Sequence, residues 1–149
     1  MSQVLRSNDA SLDASTRALM FIRFVSGEVD PDARVPVGLF HSLDQLYWSD
    51  EVPMYELDAL REMENWFEEN LTSIPDYVSD YGRSYEAICW FKSTALNHLA
   101  RAWEMAGILE RNDVLVWVIK SPAVGDIYYE DEAQVFARPT RAVRRLLRR

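Results

Sequence analysis

Glycine, histidine, lysine and cysteine are all scarce in this chain of 149 residues, and each shortage removes a class of chemistry. Five glycines leave no way to write a dinucleotide fingerprint or a P-loop, both of which need several at fixed spacing to bring main-chain N–H groups onto phosphate. No G-x-S-x-G nucleophile elbow occurs. One cysteine, Cys89, rules out an intramolecular disulfide framework and a cysteine-rich zinc centre. The two histidines, His41 and His98, have no metal-ligand spacing. The acidic stretches GEVDPDAR and YYEDEA do not follow calcium-loop spacing. The expectation is therefore no metal and no cofactor. Long apolar runs are missing too: ALMFIRFV is interrupted by Arg23 and too short to span a bilayer. The polar start, with Asp9 and Asp13, lacks the apolar stretch of a secretory signal, so a cytoplasmic location is expected.

What is present points to a packed domain. Hydrophobic residues make up 48%, and five Trp, seven Tyr and six Phe supply bulky core material, which argues against disorder. Net charge is −8, but it is segregated. The last twelve residues, RPTRAVRRLLRR, hold six of the sixteen basic residues and no acid; the remaining ten face all twenty-four acids, so residues 1–137 carry −14. An acidic body disfavours nucleic acid, except through the basic tail alone.

Along the chain, residues 1–17 read as a polar arm, residues 18–138 as one domain and residues 139–149 as a basic amphipathic tail. ALMFIRFV and AICWFK are apolar on both alternating faces and read as inner strands. VLVWVIK is a third strand, and IYYEDEAQVFARP forms a fourth or a hairpin around Glu130–Glu132. Helical periods run over 37–47, 53–71 and 95–111. The core stripe of the last is read as Leu96, Leu99, Trp103 and Ala106, with Met105 and Ile108 on its polar side. The order β-α-α-β-α-β-β predicts an α+β fold: a two-layer domain with a small mixed sheet covered by helices.

The segments MFIRFV, NWF, CWFK, AWEMAGILER and YEDEAQV occur in this order between Met20 and Ala137. In that combination the chain resembles a group of short bacterial proteins with no assigned activity. The resemblance implies no activity and no site residues. It does imply that a common core begins at Met20, with the first nineteen residues and the basic tail as additions.

Three sets of residues are candidates for function. Cys89 as a nucleophile needs a histidine, a cationic neighbour or a helix N-terminus to form a thiolate; flanked by apolar strand residues, it reads better as a small core residue. Arg23 lies inside an apolar strand, where an unpaired charge is costly. It reads first as held within the chain, by a carboxylate such as Glu64 or by main-chain carbonyls, or as lying at the sheet's open face, and second as an anion site with Lys92 and Lys120 at strand ends. The tail carries the sharpest pattern. On a helical wheel Ala142, Val143, Leu146 and Leu147 gather on one side, and Arg141, Arg144, Arg145, Arg148 and Arg149 on the other, after a Thr140 cap. Two helical turns do not persist alone in water, so the tail needs a surface, its own body or a partner.

The leading expectation is a non-enzymatic protein-interaction or regulatory domain that contacts a protein partner, or itself, through its acidic body and through the tail residues Arg141, Val143, Arg144, Arg145, Leu146, Leu147, Arg148 and Arg149. The alternative is a small-molecule (anion) binding domain or enzyme built around Arg23, Lys92 and Lys120.

Overall fold

Strands that are apolar on both sides must be covered on both sides, and that requirement organises this molecule. A computed structural model describes residues 19–29, 36–49, 51–72 and 87–148. Its elements in chain order are β1 (Phe21–Val29), β2 (Pro36–Gly38), α1 (Leu39–Tyr47), α2 (Met54–Asn70), β3 (Ile88–Lys92), α3 (Leu96–Arg111), β4 (Trp117–Ser121), β5 (Asp126–Glu130), β6 (Gln134–Arg138) and α4 (Arg141–Leu147).

The fold is α+β, as expected, but among the described residues every strand pairing is antiparallel rather than mixed. Strand β1 pairs with β4 along one edge, from Phe21 opposite Ser121 to Val25 opposite Trp117. Its other edge is divided: β3 holds Phe21 and Ile22, and β2 takes over at Val25. Beyond β3 lie β6 and then β5, joined to β6 by the hairpin foreseen around Glu130–Glu132. Hence β2, β4 and β5 each have a single strand partner and form the outer strands among the described residues.

Neighbouring strand residues point to opposite faces. Ile22, Phe24, Phe91 and Val118 meet α1, α2 and α3 in the larger core, with Leu43, Leu60, Met105 and Leu109. Phe21, Ile88, Trp90, Val135 and Ile119 face the other way and meet Val143 and Leu147 of α4. The tail is therefore a part of the fold, and the sheet has a helical layer on each face.

The phase of α3 differs from the sequence reading. Ala102, Met105, Ala106, Ile108 and Leu109 are the buried residues, whereas Leu96 is 72% and Trp103 57% exposed. Apolar residues surround most of this helix, and the side that faces α1 and α2 is the one carrying Ala102, Met105, Ala106 and Leu109. Its C-terminal end is tied to α2 by Glu56, buried in the first turn of α2, whose carboxylate accepts from Arg111 Nε at 2.8 Å and Asn112 Nδ2 at 3.0 Å.

Two turn residues fix the second half of the sheet. Gly125 has φ +105°, and a Cβ there would sit 2.2 Å from the Arg138 carbonyl oxygen, so only glycine fits between β4 and β5. Asp131 organises the β5–β6 turn by accepting from the main-chain N–H groups of Ala133 and Gln134 at 2.8 and 3.0 Å.

Candidate interaction surface

Proline cannot continue β6 into a helix, and Thr140 immediately after Pro139 starts one: its hydroxyl accepts the Val143 N–H at 3.4 Å. The i, i+4 pair Val143 and Leu147 then faces the sheet, at 4% and 1% exposure, against Trp90, Val135 and Ala137. Full burial of two such side chains contributes about 1.5–3 kcal/mol each. This anchors a helix that is too short to form alone.

Docking in this way turns the arginines outward. Arg141, Arg145 and Arg148 are exposed, and Arg144 is half-buried. Together the four line an open concavity of about 490 Å3. Of the tail residues expected to touch a partner, Val143 and Leu147 are used inside the chain and Leu146 is half-buried, so the accessible contact face is the arginine side. Arg149 lies outside the described residues.

The opposite face of the molecule is acidic. Helix α2 carries Glu56, Asp58, Glu62, Glu64, Glu68 and Glu69 against one base, Arg61, which is engaged by the Tyr47 hydroxyl. Asp58, Glu62 and Glu69 form an exposed stripe opposite the buried Leu60 and Phe67. Burial, together with the charges of Asp44 and Glu68, pushes the Glu64 carboxyl above the ordinary carboxylate range. The last turn of α2 holds no basic residue, so Glu68 and Glu69 sit at the negative end of the helix dipole.

The residues of the anion-site reading are not gathered into one place. Lys92 stands opposite Phe21, and Lys120 opposite Ile22, so the two lysines project from opposite faces of the sheet. Lys92 is bound to Glu130 at 2.6 Å. Arg23, 9% exposed, donates from Nη1 to the main-chain carbonyl of Cys89 at 2.9 Å. Glu64, the carboxylate singled out for it, lies instead among Asp44, Glu68 and Arg61.

Cys89 lines a cleft of about 290 Å3 with Phe40, Phe67 and Phe136. Its thiol lies 3.3 Å from the Gln134 amide oxygen, and desolvation pushes its pKa up to about 12 despite the nearby Arg23 charge. A thiol in that state is protonated at neutral pH and is not a nucleophile. His98 cannot serve as its base: the ring packs against Trp66 and one ring nitrogen lies 2.7 Å from the Asn70 carbonyl. A second cleft, about 530 Å3, runs between the end of α1 and Trp117; its lining includes Glu51 and Asp113 and, among the described residues, no Lys, Arg, His or Cys. No cluster of three metal-ligating side chains and no helix long and apolar enough to cross a membrane occurs among the described residues.

Comparison with known proteins adds no assignment: no family model, no curated protein and no solved structure matches the chain.

Proposed function

We propose that this protein is a non-enzymatic interaction domain whose contact surface is the arginine side of α4 and whose partner is an acidic protein surface. One observation carries the reading. The apolar side of α4 is buried in the chain's own sheet, while Arg141, Arg145 and Arg148 stand exposed on a body of opposite charge. A basic amphipathic helix that inserts into a membrane needs its apolar side free, and here that side is occupied. A phosphate backbone long enough to leave the helix meets an acidic body. A compact carboxylate patch satisfies guanidinium groups without that cost, since Arg pairs with carboxylates in planar, two-point geometry. The anion-site reading has less behind it, because Lys92 already holds Glu130 and Lys120 projects from the other face.

The test is fluorescence anisotropy with a labelled oligo-glutamate peptide, a DNA duplex and anionic vesicles as probes. Oligo-glutamate is expected to bind at low ionic strength and to lose binding when Arg141, Arg144, Arg145 and Arg148 are all replaced by Gln. Equal binding by that variant, or preferential binding of DNA or vesicles, overturns the reading.

A further inference from the structure

The sheet separates two surfaces of opposite sign. On one side, α4 and its C-cap present Arg141, Arg145 and Arg148 at i, i+4 and i+7, away from the anchoring Val143 and Leu147. On the other, α2 presents Asp58, Glu62 and Glu69 at i, i+4 and i+11, opposite Leu60 and Phe67. Both are stripes on the outer side of a helix that is itself packed on the sheet. Each stripe lies on the side of its helix away from the residues that anchor it. Because α2 belongs to the core on one face and α4 to the core on the other, a single copy cannot bring the two stripes together.

We infer that the acidic surface that α4 recognises is α2 of a second copy, so that the protein associates head to tail. The inference rests on the reading of the arginine face as a contact surface, and it adds the partner. Three features of the molecule support it. The charges complement each other in sign and number, three arginines facing three carboxylates. The acidic stripe is only partly compensated within its own chain: α2 has one base, Arg61, beside Asp58 and Glu64, against six acids, and its last turn has two glutamates at the negative end of the helix dipole, where a cation from outside is favourable. Placement on opposite faces gives a heterologous contact rather than a two-fold one, so the association propagates with concentration instead of stopping at a dimer. Contacts made by exposed charges set orientation and salt dependence more than raw affinity, so the assembly is weak and dissolves in salt.

Charge reversal tests this with the full chain. One variant carries Arg141→Glu, Arg145→Glu and Arg148→Glu; the other carries Asp58→Arg, Glu62→Arg and Glu69→Arg. Sedimentation velocity over a concentration series at low ionic strength should show reversible self-association of the wild type. It should disappear in about 1 M salt, where the screening length falls to about 3 Å. Each variant alone should associate about tenfold more weakly or not at all, since like charges then face each other. A one-to-one mixture of the two variants restores opposite signs at every contact and should regain association. Wild type that stays monomeric at every concentration, or a mixture that does not regain association, overturns the inference. Oligo-glutamate anisotropy on the same samples separates the two levels: peptide binding without self-association leaves the contact-surface reading standing and removes the partner, whereas loss of both removes both. If Glu substitutions loosen α4, the triple Gln variant replaces them, with weakened association as the expected result and unchanged association as the overturning one.

Discussion

Arg23 Nη1 donates a 2.9 Å hydrogen bond to the main-chain carbonyl of Cys89, sixty-six residues further along the chain. The bond sits where the sheet divides. Strand β3 pairs with β1 only at Phe21 and Ile22, and β2 joins the same edge at Val25. The residues between have no regular partner on that edge, and the guanidinium fills the fork: a Cβ on Gly38 would lie 3.1 Å from its Nη2. A long planar cation thus supplies the donor that a strand N–H supplies elsewhere.

Arg23→Met should therefore act on stability. Removing a charged donor from a carbonyl at a buried position costs about 1.5–3 kcal/mol. Urea unfolding monitored by tryptophan fluorescence measures it. A loss below about 0.5 kcal/mol, the range of ordinary surface substitutions, contradicts the structural role.

Cys89 should resist alkylation in the folded protein. Its thiol is raised to about 12 by desolvation, so the reactive thiolate is rare near neutral pH. The folded state disfavours the thiolate, so the stability this group contributes is complete below its ordinary range and falls as pH rises from there towards 12. Labelling with a thiol reagent should be slow in native buffer and fast in denaturant. Rapid native labelling with unchanged circular dichroism contradicts the assignment.

Glu56 predicts acid sensitivity with a defined sign. Hydrogen bonds from Asn112 and Arg111 hold its carboxyl below the ordinary value, against an opposing push from burial. A depressed carboxyl contributes stability that is complete above its unfolded pKa of about 4.3 and is lost as pH falls through the folded value. Glu56→Gln should be less stable at neutral pH, and the gap from wild type should narrow as pH drops below about 4.3. Thermal melts across that range measure the gap; a constant gap contradicts the linkage.

The parts legible in the sequence are those set by neighbouring residues. Two-sided apolar alternation marked β1 and β3 as inner strands, and the Pro139–Thr140 pair with segregated arginines marked α4. The parts that were not legible depend on partners far along the chain. Nothing near Glu56 announces Arg111 and Asn112, and although burial of Arg23 called for a carboxylate or main-chain acceptor, no residue pattern points to the carbonyl of Cys89. The edge position of β4 follows from pairing order, which VLVWVIK does not encode locally. In α3 the apolar residues occupy more than one side, so Trp103 and Leu96 pulled the periodicity towards the wrong face. The candidate surface was half legible: the arginine side was visible, but which apolar tail residues the body would claim was not.

Gly125→Ala should be costly for two independent reasons. Its φ of +105° disfavours any Cβ, and that Cβ would meet the Arg138 oxygen at 2.2 Å. The expected loss is about 1–3 kcal/mol, the cost of a strained backbone position. It should appear as a lower thermal midpoint; an unchanged midpoint contradicts the turn geometry.

The tail supplies the sharpest contrast, because its two sides should separate stability from binding. Leu147 is 1% exposed and Val143 4%, both against a sheet face that includes the fully buried Trp90. Leu147→Ala should therefore cost about 2–5 kcal/mol, the range for a buried leucine truncated to alanine, with the lower end applying because a terminal helix can shift to close the gap. Leu147→Asp should release α4 altogether, expose Trp90 to solvent and shift its fluorescence to longer wavelength. Replacing Arg141, Arg145 and Arg148 with Gln should instead change stability by no more than about 0.5 kcal/mol per site, since these are exposed positions. The same Gln variant is the one expected to lose oligo-glutamate binding. Leu147→Asp loses it too, but through undocking of the helix, and only that variant shifts the Trp90 emission. Urea melts, emission spectra and anisotropy on the same two variants distinguish the cases. If Leu147→Asp keeps wild-type stability and emission, the helix is not anchored as described; if the Gln variant unfolds early, the arginines hold the tail and the division between its two sides is wrong.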